Sequence, residues 1–282
     1  MRDADTRHLV ILLNFNVIWI MNDYQIEQIK TPSVAGMFYP ADSARLDRQI
    51  QEYLDQVKPT QDTSTVRALI VPHAGYDYSG PVAASAYRVI RGARYDRVIV
   101  VGLGHQVWFD GVALCPYAFW QTPLGKVELV KLSDQPDKLL QLNRAAFASE
   151  HSVEVQLPFL QKVMPELHVI AMLTGVIKSA VELAEIIGKE LRDNDLLIIS
   201  SDLSHYHPYS EAQKIDSATI SQILALDNSI DHEQACGADG INMLLSIAKS
   251  KDWKPKLLDY RNSGDTAGEK NQVVGYAAVE FI

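Results

Sequence analysis

The chain has 282 residues, 47% hydrophobic and 22% charged, enough to bury a substantial core in one large domain or two small ones. A formal net charge of −9, with acids and bases interspersed, excludes the basic face of a general nucleic-acid binder. Two cysteines, Cys115 and Cys236, are too few for a disulfide framework and point to a reducing, cytoplasmic setting.

The N-terminal stretch "HLVILLNFNVIWIM", residues 8–21, is apolar but broken by Asn14 and Asn16. It is short of the roughly 20 residues a membrane span needs. Asp3 and Asp5 dilute a basic n-region and no A-x-A site comes after it, which counts against a secretory signal. The segment reads as sequence upstream of a start at Met21, with an extra strand as the alternative. No Ser/Gly tract, Pro-rich run or repeat divides the rest of the chain. Residues 26–282 are therefore expected to form one domain, with residues 1–25 as an extension of doubtful status.

Strands and helices then alternate. Residues 68–71 are an apolar strand, and Ser79 is a plausible N-cap for a helix with Pro81 in its first turn. "DRVIVVG" at 96–102 is a second buried strand, and "HSVEVQLPFLQKVM" at 151–164 a helix bent or restarted near Pro158. "HVIAMLTG", "AVELAEIIGKEL" and "DLLIISS" continue as strand, helix and strand. Helices come next, from about Ser210 to Leu226 and from about Asp239 to Lys249. "WKPKLLDYRN" and "QVVGYAAVEFI" close the chain as strands that can add antiparallel pairing. The order implies an α/β fold, a single three-layer domain with a mixed, mostly parallel sheet and helices on both faces.

Three apolar strands run straight into ionisable residues: 68–71 into His73, 97–101 through "GLG" into His105, and 195–200 into "DLSHYH" with Asp202, His205 and His207. Ligands of open parallel sheets bind outside the carboxyl ends of the strands. Parallel neighbours would thus place His73, His105, Asp202 and His205 on one cleft, with Pro72 stiffening the exit and Gly75 allowing a tight return. For each residue alone the plainer role is a loop histidine or an Asp turn cap.

Cys236 in "QACGADGINMLL" precedes a helix, whose dipole favours thiolate. A thiolate with two neutral imidazoles suits iron, zinc or copper. A buried apolar role is the alternative, and it fits Cys115 in "VALCPY" well. His151 and Glu154, three apart on one helical face, offer a ligand pair or an ordinary surface contact. The chain has no H-E-x-x-H, Walker A, G-x-G-x-x-G or G-x-S-x-G motif.

"AGMFYP" (35–40), "PHAGYDYSG" (72–80), "GLGHQ" (102–106), "EHSVEVQLPFL" (150–160), "SSDLSHY" (200–206) and "CGADGI" (236–241) occur in the order seen in the Memo family. That family is named for a mediator of cell motility, and its prokaryotic members are known as AmmeMemoRadiSam system protein B. The resemblance runs from about residue 30 to the end. The family resembles the catalytic subunit of class III extradiol dioxygenases, which hold Fe(II) by two histidines and a carboxylate beside an acid–base histidine. Carried over, this implies His73, His105 and Cys236 as ligands of a suspected Fe2+, with copper or zinc as the other metals. It implies His205 and Asp202 as catalytic, and Tyr76 and His151 facing substrate.

A thiolate in place of a carboxylate softens such a site and exposes it to oxidation, so ring cleavage is not inherited with the fold. Three functions are compatible with the resemblance: a metal-dependent redox enzyme acting on a small molecule, a (phospho)peptide-binding module on the same scaffold, or an accessory protein of a radical-SAM partner. The second lacks an arginine cluster, Arg261 being the nearest candidate. Neither nucleic acid nor membrane is expected as a partner.

Overall fold

The computed structural model describes residues 28–58, 65–132 and 137–282. The expectations for the N-terminal stretch lie outside the described residues. The strands are β1 (Ile29–Lys30), β2 (Ala68–Val71), β3 (Arg97–Leu103), β4 (Val112–Leu114), β5 (Phe119–Thr122), β6 (Gly125–Leu129), β7 (Leu140–Leu142), β8 (His168–Thr174), β9 (Asp195–Ser200), β10 (His205–His207), β11 (Pro255–Asn262) and β12 (Val273–Phe281). Among the described residues they form one 12-stranded mixed sheet with the path β1-β5-β6-β8-β3-β9-β2-β12-β10. β11 adds to β12, and β4 links β7 with β8.

The centre, β6-β8-β3-β9-β2, is parallel throughout. β12 runs antiparallel to both β2 and β11, in keeping with the antiparallel pairing expected of the terminal strands. The register aligns the carboxyl ends: Val71 of β2 lies opposite Ser200 of β9, and Val101 of β3 opposite Ile199. His73, His105 and Asp202 each lie two residues past a strand end on this common edge.

The helices are α1 (Ser43–Gln56), α2 (Tyr76–Val89), α3 (Arg144–Phe147), α4 (Leu157–Val163), α5 (Ala180–Glu190), α6 (Tyr209–Leu224) and α7 (Ala238–Lys251). Alternation along the strands sends Leu69, Val71, Val98, Val100 and Ile198 to one face, where Leu46 and Ile50 of α1, Val82 of α2 and Phe159 of α4 cover them. Ile70, Ile99, Val101, Leu197 and Ile199 go to the other face, under Leu183 of α5, Ile223 of α6 and Leu244 of α7. Two apolar layers around one sheet make the expected three-layer α/β domain.

Local details differ from the sequence expectations. Those expectations omit α1, although Asp42 caps it through Arg45 N and Leu46, Ile50 and Leu54 repeat at helical spacing. α2 begins three residues before Ser79, with Gly75 as N-cap, and Ser79 Oγ instead donates to the Ala74 carbonyl at 2.9 Å. Pro81 therefore sits in the second turn, where it has no N–H to donate to the Asp77 carbonyl. The helix expected from residue 151 starts as a 3₁₀ turn at Glu154–Gln156, and α4 restarts at Leu157 with Pro158 in its first turn. No helix among the described residues is long and apolar enough to cross a membrane.

Candidate metal centre

His73 is fixed before its ring is considered. Its backbone N–H donates to Asp202 Oδ1 at 2.8 Å, which ties the loop after β2 to the loop after β9. Its Nδ1 lies 3.1 Å from Ser200 Oγ. That hydroxyl donates to the Ser152 carbonyl at 2.5 Å and receives Gln156 Nε2 at 2.7 Å. With its hydrogen committed, Ser200 acts as acceptor toward the imidazole. The network thus assigns the His73 proton to Nδ1 and leaves a lone pair on Nε2. Burial, reinforced by His105, lowers the His73 pKa to about 3, so the ring is neutral at pH 7.

His105 is held by one buried carboxylate. Glu150 Oε2 accepts the His105 backbone N–H at 2.6 Å, and Oε1 lies 2.9 Å from His105 Nδ1. The same Oε1 accepts the backbone N–H groups of His151 and Ser152, both at 2.8 Å, and lies 3.3 Å from His151 Nδ1. Burial alone would raise the Glu150 pKa. The hydrogen bond from His105, the charge of that ring and the amides of Ser152 and His105 outweigh it and bring the carboxyl down to about 2. When the His105 ring holds a single proton, the acceptor-only carboxylate places it on Nδ1 and leaves Nε2 open.

The three rings converge. One nitrogen each of His73, His105 and His151 lie within 4.8 Å of one another. The rings of His105 and His151 stack at 4.6 Å, and His73 stands edge-on to both at 5.3 and 5.5 Å. Phe38 packs against His151 at 4.7 Å. His151 is neutral at pH 7, its pKa brought down to about 4 by burial and then by His73. His73 is buried, His151 half-buried and His105 exposed, so the cluster opens to solvent on the His105 side.

Cys236 joins through His73. Its Sγ lies 3.5 Å from His73 Nε2, 3.6 Å from the Asp202 carbonyl and 3.7 Å from Ser201 Oγ. The thiol departs from the expectation of an acidic group before a helix. Burial, with the Asp202 carboxylate next, pushes it up to about 12, against the smaller help of hydrogen bonds involving Ser201 and the backbone of Asp202 and Gly237. The sulfur thus carries its proton until something stronger replaces it.

Asp202 is buried, which raises its pKa, and it spends Oδ1 on the His73 amide while its carbonyl accepts the Cys236 N–H at 3.3 Å. His205 is half-buried on β10, where a bulge against β12 involves Tyr206, a residue with φ of 60°. A positive charge there would lower the pKa of both His73 and Asp202. Tyr76 is turned into the core, its hydroxyl donating to the Val155 carbonyl at 2.7 Å and its ring packed on Tyr39 and Phe159. Glu154 does not pair with His151; it is buried under residues 33–39, accepting from Ser33 N, Val34 N and the Tyr39 hydroxyl. Arg261 is bonded to Asp259 at 3.0 Å.

A matching family model, described as Memo-like protein, covers residues 30–280. The chain belongs to the Memo family. It is 36% identical to a MEMO1 family protein of Sulfurisphaera tokodaii over 90% of this chain and 99% of that one. A MEMO1 family protein of Sulfolobus acidocaldarius is 37% identical over the same shares, and that of Methanopyrus kandleri 35% identical over 89% and 98%. Among solved structures, an uncharacterized Escherichia coli K12 protein overlaps with a TM-score of 0.46 at 14% identity, over 76% of this chain and 99% of that one.

Three imidazoles with a sulfur beside one of them are a donor set suited to a borderline or soft divalent ion. The 3.5 Å between His73 Nε2 and Cys236 Sγ is near the separation of about 3.6 Å that a tetrahedral ion about 2.0–2.1 Å from nitrogen and about 2.3 Å from sulfur would set. Cys236 stands outside the three-histidine group whose ligand atoms all lie within 4.8 Å of one another. Sequence reasoning missed Glu150 although it begins the motif "EHSVEVQLPFL". The signal available was its place directly before His151 in "EHS".

Proposed function

We propose that this Memo-family chain is a metal-dependent redox protein that holds iron at His73, His105 and Cys236, with His151 as a further nitrogen donor, and that it acts in a reducing cytoplasm on a small molecule. The observation that carries this is the convergence of His73, His105 and His151 to within 4.8 Å, with the Cys236 sulfur 3.5 Å from His73. A bound iron supplies Lewis acidity and one-electron redox chemistry at this edge of the sheet.

The chain's own residues do the rest. Asp202 holds the His73 backbone and, through its carbonyl, Cys236, so it positions two donors from different segments. His205, on the adjoining edge of the cluster, moves protons between substrate and solvent. General acid–base groups contribute about 10²–10⁴-fold in rate. His105, at the open side, borders the path by which a small ligand reaches the donors.

Metal analysis of protein purified without oxygen tests the proposal. About one iron per chain is expected, lost in His73→Ala and kept in His205→Ala. A His205→Ala protein that loses metal as readily as His73→Ala would overturn the division of roles.

A further inference from the structure

Glu150 is one carboxylate placed between two imidazoles. It is 1% exposed, receives three backbone N–H groups, and its Oε1 is hydrogen-bonded to His105 Nδ1 at 2.9 Å, with His151 Nδ1 3.3 Å away and not hydrogen-bonded to it. The two rings it faces are stacked at 4.6 Å. We infer that Glu150 is the positioning residue of the metal centre, fixing His105 as the Nδ1–H tautomer so that it offers Nε2 to the ion while the same carboxylate holds the peptide unit that carries His151. The inference deepens the metal-centre proposal and rests on it for its consequence, though not for its geometry.

Hydrogen-bond valence decides the tautomer. An ionised carboxylate only accepts, so the His105 Nδ1 hydrogen-bonded to it carries the hydrogen. A hydrogen on Nδ1 removes that atom as a ligand and leaves the lone pair on Nε2. Partners of this kind orient ligands and raise their basicity, and removing them costs about 10–100-fold in metal affinity. Glu150 differs from a simple ring partner because the same carboxylate also holds the peptide units of His105, His151 and Ser152. His105 and His151, 46 positions apart in the sequence, are thereby joined at one atom. Ser152, next along, extends the same junction: its Oγ donates to the Leu103 carbonyl at 2.9 Å, on the last residue of β3.

Two measurements test this. In the first, ¹⁵N spectra of the metal-free wild-type chain report the tautomers directly, with no variant needed. His105 is expected as Nδ1–H; a ring with its hydrogen on Nε2 instead overturns the inference. In the second, Glu150→Gln is titrated with Zn2+ alone by competition with a chelator, its melting temperature being recorded beside it. The amide is a donor as well as an acceptor, so affinity is expected to fall about 10–100-fold and the ¹⁵N spectrum to show mixed tautomers. A Glu150→Gln chain with wild-type affinity and an unmixed spectrum overturns the inference even while His73→Ala abolishes binding. Failure of the wild type to bind any metal would strike the metal-centre proposal and leave the spectral test standing.

Discussion

His73 Nε2 and Cys236 Sγ lie 3.5 Å apart although 163 residues separate them in the chain. The approach is set by two neighbouring parallel strands: β2 delivers His73, β9 delivers Ser201 and Asp202, and these clasp the turn before α7 that carries Cys236. The Cys236 amide reaches the Asp202 carbonyl and the Gly237 amide reaches Ser201 Oγ at 2.9 Å. Main-chain bonds, rather than the sulfur itself, hold the thiol at the imidazole.

Metal uptake is coupled to loss of a proton. The Cys236 thiol, pushed up to about 12 by burial and by Asp202, is protonated at pH 7, while His73 and His151 are neutral there. Binding an ion as thiolate releases about one proton, so affinity rises roughly tenfold per pH unit between about pH 6 and 8. Calorimetry in buffers of different ionisation enthalpy counts that proton. Cys236→Ser is expected to bind more weakly and to flatten the slope.

The metal-free fold is sensitive to mild acid. His73 and His151 have native pKa values near 3 and 4, below the ordinary 6.5 of an unfolded histidine. The unfolded chain therefore binds more protons as pH falls, and stability present above about pH 6.5 is lost progressively toward about pH 3, by on the order of a few kcal/mol. Glu150 adds a second loss between its ordinary 4.5 and about 2. Urea unfolding at about pH 7, 5.5 and 4.5 should give falling midpoints, with a shallower fall in His151→Asn.

Asp202 is expected to act on structure through one hydrogen bond. Asp202→Asn retains an oxygen for the His73 amide and should keep both fold and metal. Asp202→Ala leaves that buried N–H without a partner and should cost about 1–3 kcal/mol more in unfolding free energy. Equal loss in the two variants would show that the charge, not the acceptor, matters.

Gly237 marks a close approach at the site. A Cβ there would lie 2.7 Å from Ser201 Cβ and 3.2 Å from the Ser200 carbonyl oxygen. Gly237→Ala is expected to push the Cys236 turn away from β9, lowering stability by about 1–3 kcal/mol and weakening metal binding. Thermal melting and metal titration read the two effects separately.

The sheet and the imidazole edge were legible because their signals are local and repeated. Apolar runs at Ala68–Val71, Arg97–Leu103 and Asp195–Ser200 each lead into a polar residue two positions on, and parallel pairing brings those positions together. Cys236 was legible as a place but not as a chemical state. A helix start argues for thiolate, whereas the surrounding core and the Asp202 carboxylate, supplied from elsewhere in the chain, decide for thiol.

His151 and Glu154 show the limit of spacing arguments. Three residues apart they should share a helical face, yet the helix begins only at Glu154, so the two side chains leave in different directions. Glu150 was illegible for a related reason. A carboxylate ahead of a histidine reads as solvated surface until the amides that bury it, from His105 and Ser152, are in place. Short strands between residues 112 and 142 escaped because three to five residues carry no periodicity of their own.

The central claim is that segments far apart in the chain grip one ion. X-ray absorption of the zinc-loaded chain tests it most directly. The account predicts one sulfur at about 2.3 Å together with imidazole nitrogens at about 2.0–2.1 Å, and loss of the sulfur shell in Cys236→Ser. A shell of oxygens alone, unchanged in Cys236→Ser and in His73→Ala, would contradict it.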